Sequence, residues 1–355
     1  MAGGRSDSVS AGLAGVSRGH DDGIGDGRRD VARWTCWLLS DGAAGNRNQA
    51  QALAGAMALD ARPITIRLRR PWSWLAPTGP GDVRRALMPE VAELLVPPWP
   101  DLAIGCGRAG ALATLGLARL SGGGTRTVQI LDPRRHRQRF DALVVPAHDG
   151  LSGGNVITTL GGLNDIDDAW LARGRQAFPH LGTLPSPRVA VLVGGPTRAL
   201  ALDAAYVDGL LSTLEQWAGH GASFLVTCSR RTPPVLAGHL RQRFAAWPGV
   251  FWAGPEDGDN PYAGLLGWAE RIVVTPDSAN LLTEACATGV PVRVHEPARV
   301  RGKMAGLLQA LMASGRVRPL QVDFQEFSAP PLRELPAVVA AVRQRLGRSA
   351  GADRL

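Results

Sequence analysis

The chain has 355 residues, with 39 Lys and Arg against 31 Asp and Glu, a net charge of +8. That length suits about two domains, and no apolar run approaches the roughly 20 residues of a membrane-spanning helix. Lys303 is the one lysine, and the arginines are scattered. The charge therefore reads as GC-rich coding bias, and no specific nucleic-acid partner is expected. The N-terminus has no apolar signal core, so secretion by that route is not expected. The cysteines at positions 36, 106, 228 and 286 show no CxxC spacing. Free thiols in a reducing cytoplasm are expected, with no metal site and no cofactor.

Residues 1–30, rich in Gly, Ser, Asp and Arg without periodicity, read as a disordered tail. Strands are predicted over 34–39, 61–68, 101–106, 127–131, 142–145 and 156–159, with helices over 48–59, 82–95, 109–120 and 165–177. The stretch 179–187 holds three prolines and reads as a linker. The alternation then restarts. Strands are predicted over 188–193, 222–227, 250–252, 271–275 and 290–294, with helices over 203–218, 234–244, 260–269, 278–288, 303–314 and 332–346. Such alternation means parallel sheets covered on both faces. The fold class is α/β, with two Rossmann-like doubly wound domains. The domains expected are one over 31–178 and one over 188–330, with a closing helix and tail over 331–355. Ligands of such sheets bind beyond the carboxyl ends of the strands.

The loops at those ends carry the candidate chemistry. Gly105-Cys106-Gly107-Arg108-Ala109-Gly110 follows a strand and opens a helix, with Asp132 at the end of the next strand. That pattern suits a dinucleotide, but better suits glycines that only let helix and strand pack closely or a loop that faces a phosphate or an acceptor in another way. Ser278 caps a helix whose N-terminus, with Asn280 in its first turn, suits an anion. Glu284, farther along, can accept from ribose hydroxyls. Ser229-Arg230-Arg231-Thr232 combines hydroxyls with guanidinium forks, which suits phosphate. Gly194-Gly195-Pro196 lets backbone amides approach a ligand. His148, at a strand end beside Asp149, is the first candidate base, and Asp41 in the loop after the first strand the second. Arginines beside tryptophans over 67–75 suit an anionic membrane surface. The plainer reading of each motif is a capped core helix or an ordinary surface loop.

Several of these segments, with others, resemble one family. They include Leu39-Ser40-Asp41-Gly42, Asn48-Gln49, Ile104-Gly105-Cys106-Gly107-Arg108, Val145-Pro146-Ala147-His148-Asp149, Thr227-Cys228-Ser229-Arg230-Arg231-Thr232, Asn260-Pro261-Tyr262 and the run from Thr275 to Val292. The chain resembles the mitochondrial fission ELM family, the plant elongated-mitochondria fission factor and its bacterial relatives. The resemblance implies a GT-B-like fold, with two Rossmann-like halves facing a cleft. It implies a nucleotide-sugar donor, whose diphosphate is held by Gly194, Gly195, Ser229, Arg230, Arg231, Ser278 and Asn280 and whose ribose is held by Glu284. Gly42, Gly105, Gly107 and Arg108 resemble the acceptor-side loops of lipid-directed transferases. The acceptor expected is a lipid-linked envelope glycan at the inner membrane surface, and the location cytoplasmic or peripheral to that membrane. A non-catalytic membrane-surface adaptor and an NAD(P)-dependent oxidoreductase are the alternatives.

Overall fold

Continuous apolar runs, rather than alternating ones, form most of the inner strands. Such runs are usable only in parallel sheets buried on both faces. A computed structural model describes residues 34–323 and 325–352, so the tail expected over 1–30 lies outside the described residues. The first half runs β1 (Thr35–Ser40), α1 (Ala44–Ala56), β2 (Asp60–Thr65), the single turns α2 (Trp72–Leu75) and α3 (Pro89–Ala92), β3 (Leu102–Cys106), α4 (Gly107–Leu120), β4 (Arg126–Ile130), β5 (Ala142–Pro146), β6 (Val156–Thr159) and α5 (Asp168–Ala177). Its sheet has the order β2-β1-β3-β4-β5-β6, with every neighbouring pair parallel.

The second half runs β7 (Arg188–Val193), α6 (Ala204–Gly219), β8 (Ser223–Cys228), α7 (Pro234–Phe244), β9 (Gly249–Trp252), α8 (Tyr262–Trp268), β10 (Arg271–Val274), α9 (Ala279–Ala287), β11 (Val292–Val294), α10 (Lys303–Ala313), β12 (Val317–Pro319) and α11 (Leu335–Ala352). Its sheet has the order β12-β11-β10-β7-β8-β9, again all parallel. Two six-stranded doubly wound sheets are the fold class expected. No helix among the described residues is long and apolar enough to cross a membrane.

Three details differ from the sequence reading. The helix expected over 82–95 is a 3-10 turn at Val83–Ala86 followed by the single turn α3. Pro89 explains the break, because it has no N–H to donate and keeps Met88 extended. The short strand β12 carries no signal beyond its three residues. The passage between halves also falls earlier than the proline-rich stretch 179–187. Ile166 and Leu171 are buried in the core of the second half with Leu265, and Leu181 within 179–187 is fully buried there too. Gly174 on α5 lies so close to α8 that a Cβ would sit 2.2 Å from the carbonyl oxygen of Ala263. The chain has therefore already crossed over by residue 166.

It crosses back before α11. Val338, Val339, Val342 and Leu346 pack in one core with Leu53 of α1, Met57 just past its end and Val144 of β5. The two crossing segments are tied together by Glu334, whose carboxylate accepts the amides of Leu160 at 2.8 Å and Gly161 at 3.1 Å. Since α11 completes the first half's core, Leu346→Ala is expected to cost about 2–5 kcal/mol of stability in urea melts. A loose tail at that position would cost almost nothing.

Candidate functional site

Two helices begin earlier than the sequence suggests, and this shapes the site. α1 starts at Ala44 rather than 48, and α4 at Gly107 rather than 109. Their first turns, with those of α9 and α10, line a cleft of about 420 Å³ between the halves. Asn46 and Gln49 come from α1, Gly107 and Arg108 from α4, Ser278 and Asn280 from α9, and Lys303 and Met304 from α10. Each N-terminus presents free amides and the positive end of its dipole. Close approach is permitted by glycine. A Cβ on Gly45 would overlap the Asn280 amide nitrogen at 1.8 Å, and one on Gly107 (φ +73°) would sit 2.8 Å from that of Asn46. Gln49 donates to the Asn280 carbonyl oxygen across the cleft at 3.4 Å.

His148 lines the first half's wall, on a 3-10 turn directly after β5. Its Nδ1 is buried without a partner. Burial holds the imidazole below its usual pKa, with Asp149 pulling it up and Lys303 down. It is therefore neutral at pH 7, the state a general base needs. Asp149 is itself held by Lys303 from α10 at 2.6 Å, an ion pair that spans the two halves. Asp132 is bonded by Arg137 at 2.8 and 3.0 Å. Arg108 donates to the carbonyls of Ala76 at 2.8 Å and Trp74 at 2.6 Å, so its charge meets no carboxylate there. Asp41 is exposed and is joined to this wall through Asn46. Its carboxylate accepts from the Ala43 amide at 3.1 Å and the Asn46 side chain at 3.0 Å. Gly42 turns the loop with φ +81°. Gly105 is buried in β3, where a Cβ would collide with Gln129 and Thr114, so its role in the structure is packing.

On the other side, Ser278 caps α9, its hydroxyl accepting from the Leu281 amide. Its neighbour Asp277 has no exposed side-chain surface and gathers three donors. These are the Gly195 amide at 3.1 Å, the Thr275 hydroxyl at 2.7 Å and the Arg231 guanidinium at 2.8 Å. Gly194 donates its amide to the Thr275 hydroxyl at 2.7 Å. The two glycine amides are thus engaged internally rather than open. The Ser229 hydroxyl accepts from the Arg231 amide at 3.2 Å and holds the turn, while Arg230 is exposed. Glu284 accepts from the Tyr262 hydroxyl at 2.5 Å. Burial pushes its carboxyl up to about 7, the tyrosine bond lowers it and Asp165 raises it.

Of the residues singled out in the sequence, the cleft brings together His148, Gly107, Arg108, Ser278 and Asn280. Gly194, Gly195 and Arg231 cluster on Asp277, one residue from Ser278. Glu284 lies farther along α9, and Asp41 and Gly42 are not among the residues lining the cleft. Sequence reasoning did not single out Asn46, Tyr262 or the Asp149–Lys303 pair as functional. The solitary lysine was the one available signal for the last.

The Glu284 shift has a stability consequence. Its pKa is raised on folding, so its contribution is complete below about 4.5 and is lost as pH rises through about 7. Glu284→Gln is expected to leave stability at pH 5 nearly unchanged and to raise it at pH 8.5 by about 1–3 kcal/mol. Urea melts at the two pH values read the difference, and equal effects at both would contradict the assignment.

Residues 44–346 match the family model described as mitochondrial fission ELM1. The mitochondrial fission protein ELM1 of Arabidopsis thaliana is 30% identical over 275 residues, which are 70% of this chain and 64% of the plant protein. This chain thus spans just under two thirds of that relative's length. Protein RP120 of Rickettsia prowazekii (strain Madrid E) is 24% identical over 353 residues, 86% of this chain and 97% of that protein. Among solved structures, the UDP-GlcNAc 2-epimerase of Methanocaldococcus jannaschii is similar at a TM-score of 0.50 and 12% identity, over 88% of this chain and 99% of that one. The S. aureus MnaA–UDP co-structure is similar at a TM-score of 0.50 and 10% identity, over 88% and 97%. These likenesses concern the fold, two Rossmann-like domains in the GT-B manner. By the extent of the family match and by the plant relative, the chain belongs to the mitochondrial fission ELM1 family.

Proposed function

We propose that the chain is a metal-independent glycosyltransferase of the GT-B type that uses a nucleotide-sugar donor. The observation that carries this reading is the apposition of the α9 N-terminus, with Ser278 and Asn280, to a neutral His148 across one cleft. A helix N-terminus stabilises a diphosphate by free amides and dipole together. The Arg231 fork has five N–H donors and spends one on Asp277, which leaves others for phosphate oxygens. Arg230, exposed on the same turn, adds charge where the leaving diphosphate gains it. Glu284 accepts from the ribose hydroxyls, in exchange for or beside the Tyr262 bond. A MnaA structure that holds UDP has the same fold, which supports the ligand class.

In the inverting mechanism proposed, His148 takes the proton of the acceptor hydroxyl. The acceptor oxygen forms its bond to the anomeric carbon on the face opposite the diphosphate. The bond between that carbon and the diphosphate oxygen breaks, and the nucleoside diphosphate leaves with the electron pair. Asp41 supports the wall through Asn46 and is the second candidate base. The acceptor proposed is a lipid-linked envelope glycan, met at the membrane surface by the first half. The dinucleotide reading is weaker, because both Asp132 oxygens are taken by Arg137.

Calorimetric titration with UDP, ADP and GDP tests the donor site. One of them is expected to bind with a stoichiometry of one. Glu284→Ala and Arg231→Ala should each weaken it about tenfold, the worth of a hydrogen bond to a charged group. No binding of any nucleoside diphosphate would sink the proposal. A non-catalytic adaptor is the second reading, favoured by the internal engagement of the Gly194 and Gly195 amides. It expects an Asp41→Ala, His148→Ala, Glu284→Ala triple variant of normal stability to complement a deletion strain fully, whereas the transferase reading expects none.

A further inference from the structure

The link from β2 to β3 is the longest crossover of the first sheet built without a full helix, and its outer surface is unusual. Of the large apolar side chains exposed among the described residues, Trp74, Leu75, Met88, Leu94 and Val96 belong to it, and only Val235 and Val322 lie elsewhere. Trp74 is 66% exposed and Leu75 49%. Beneath them Val83, Ala86 and Leu87 are buried, so the outward side chains are not spilled core. Two strips of this crossover are zipped together. Arg69 donates its amide to the Ala86 carbonyl at 2.9 Å, and Met88 donates to that of Arg67 at 2.9 Å. This brings Arg67, Arg69 and Arg85 onto the same ribbon. The Arg70 guanidinium lies over the Trp74 ring at 5.2 Å. Arg84 is paired with Asp82, and Arg67 reaches Glu90 only at 3.8 Å.

We infer that this crossover is a docking face for an anionic lipid bilayer. Indole and leucine side chains flanked by guanidinium groups match a headgroup layer, the apolar part entering the interface and the cations meeting lipid phosphates. A protein partner would need a larger continuous apolar area and fewer uncompensated charges at its centre. The face is also wired to the cleft. Arg108, which lines the cleft, bonds the carbonyls of Trp74 and Ala76, the backbone that carries the exposed indole. Gly79 of the same loop packs on Leu112 of α4, where a Cβ would lie 3.2 Å from it. A bilayer on this face therefore abuts the acceptor wall, and a lipid-linked acceptor could reach it without leaving the membrane. The inference rests on the transferase reading only for that last purpose.

Co-sedimentation with large unilamellar vesicles, without donor or acceptor, tests it. The full chain is expected to bind vesicles containing phosphatidylglycerol and to bind pure phosphatidylcholine vesicles at least about tenfold more weakly. Trp74→Ser with Leu75→Ser should lose most of the binding. Arg69→Glu with Arg70→Glu should remove the preference for anionic lipid, and Val235→Ser should change nothing. All four altered side chains of the first two variants are exposed, and unchanged thermal melts verify their folding. Equal binding by parent and variants, absence of binding to either vesicle, or a dimer in solution that Trp74→Ser dissociates would each overturn the proposal. Any of these leaves the nucleotide titration unaffected, so the two readings fail separately.

Discussion

Four helices aim their N-termini into one cleft, and much else in the molecule answers to that convergence. Each terminus carries a partial positive charge of about half a unit, and Arg108, Arg134 and Lys303 add full charges beside them. Like charges at this range repel, so the arrangement needs compensation. Two buried carboxylates are present, but Asp132 is spent on Arg137 and Asp149 on Lys303. What remains is a net positive hollow, shaped by glycines that let the helix ends meet and open to solvent. The diphosphate of the donor proposed above would supply that compensation.

The same logic explains how the halves are joined. Across the cleft mouth the contacts are polar, Gln49 to Asn280 and Asp149 to Lys303, and polar contacts between partly solvated groups are worth little net energy. The durable connection lies where α11 enters the first half's apolar core and Glu334 clasps the two crossing segments beside the cleft. In the second half a further anion position is already filled by the protein's own carboxylate. Asp277 accepts from an amide, a hydroxyl and a guanidinium, the same donor set that a phosphate would use.

Fold and site were legible to different depths, for physical reasons. β7 and α7 have the limits that the sequence suggests, because an uninterrupted buried run and a proline at the first helical turn are local signals. The helix expected over 82–95 failed at Pro89, where a backbone rule outweighs apolar periodicity. The stretch 179–187 looked like a border because of its prolines, yet the border is set by which core buries Ile166, Leu171 and Leu181, and burial is not local. The cleft-lining glycine and Ser278 stood out because special backbone geometry and capping select residue types. Tyr262 with Glu284 and Asp149 with Lys303 did not. Their separations in sequence are 22 and 154 residues, and no composition encodes that meeting.

Arg108 shows how structure changes what a composition can say. In a chain with 38 arginines for a single lysine, an arginine at any position carries almost no information by itself. Position 108 is different because of what its side chain must span. One nitrogen reaches the Ala76 carbonyl and another the Trp74 carbonyl, a forked demand that a planar guanidinium meets and a point-charge ammonium on one nitrogen does not. Carbonyl partners satisfy its N–H groups without neutralising its charge. The residue thus does two things at once, fixing the loop that displays Trp74 and keeping a full positive charge on the cleft wall. Coding bias supplied the arginines, and the fold gave this one a place where its geometry matters.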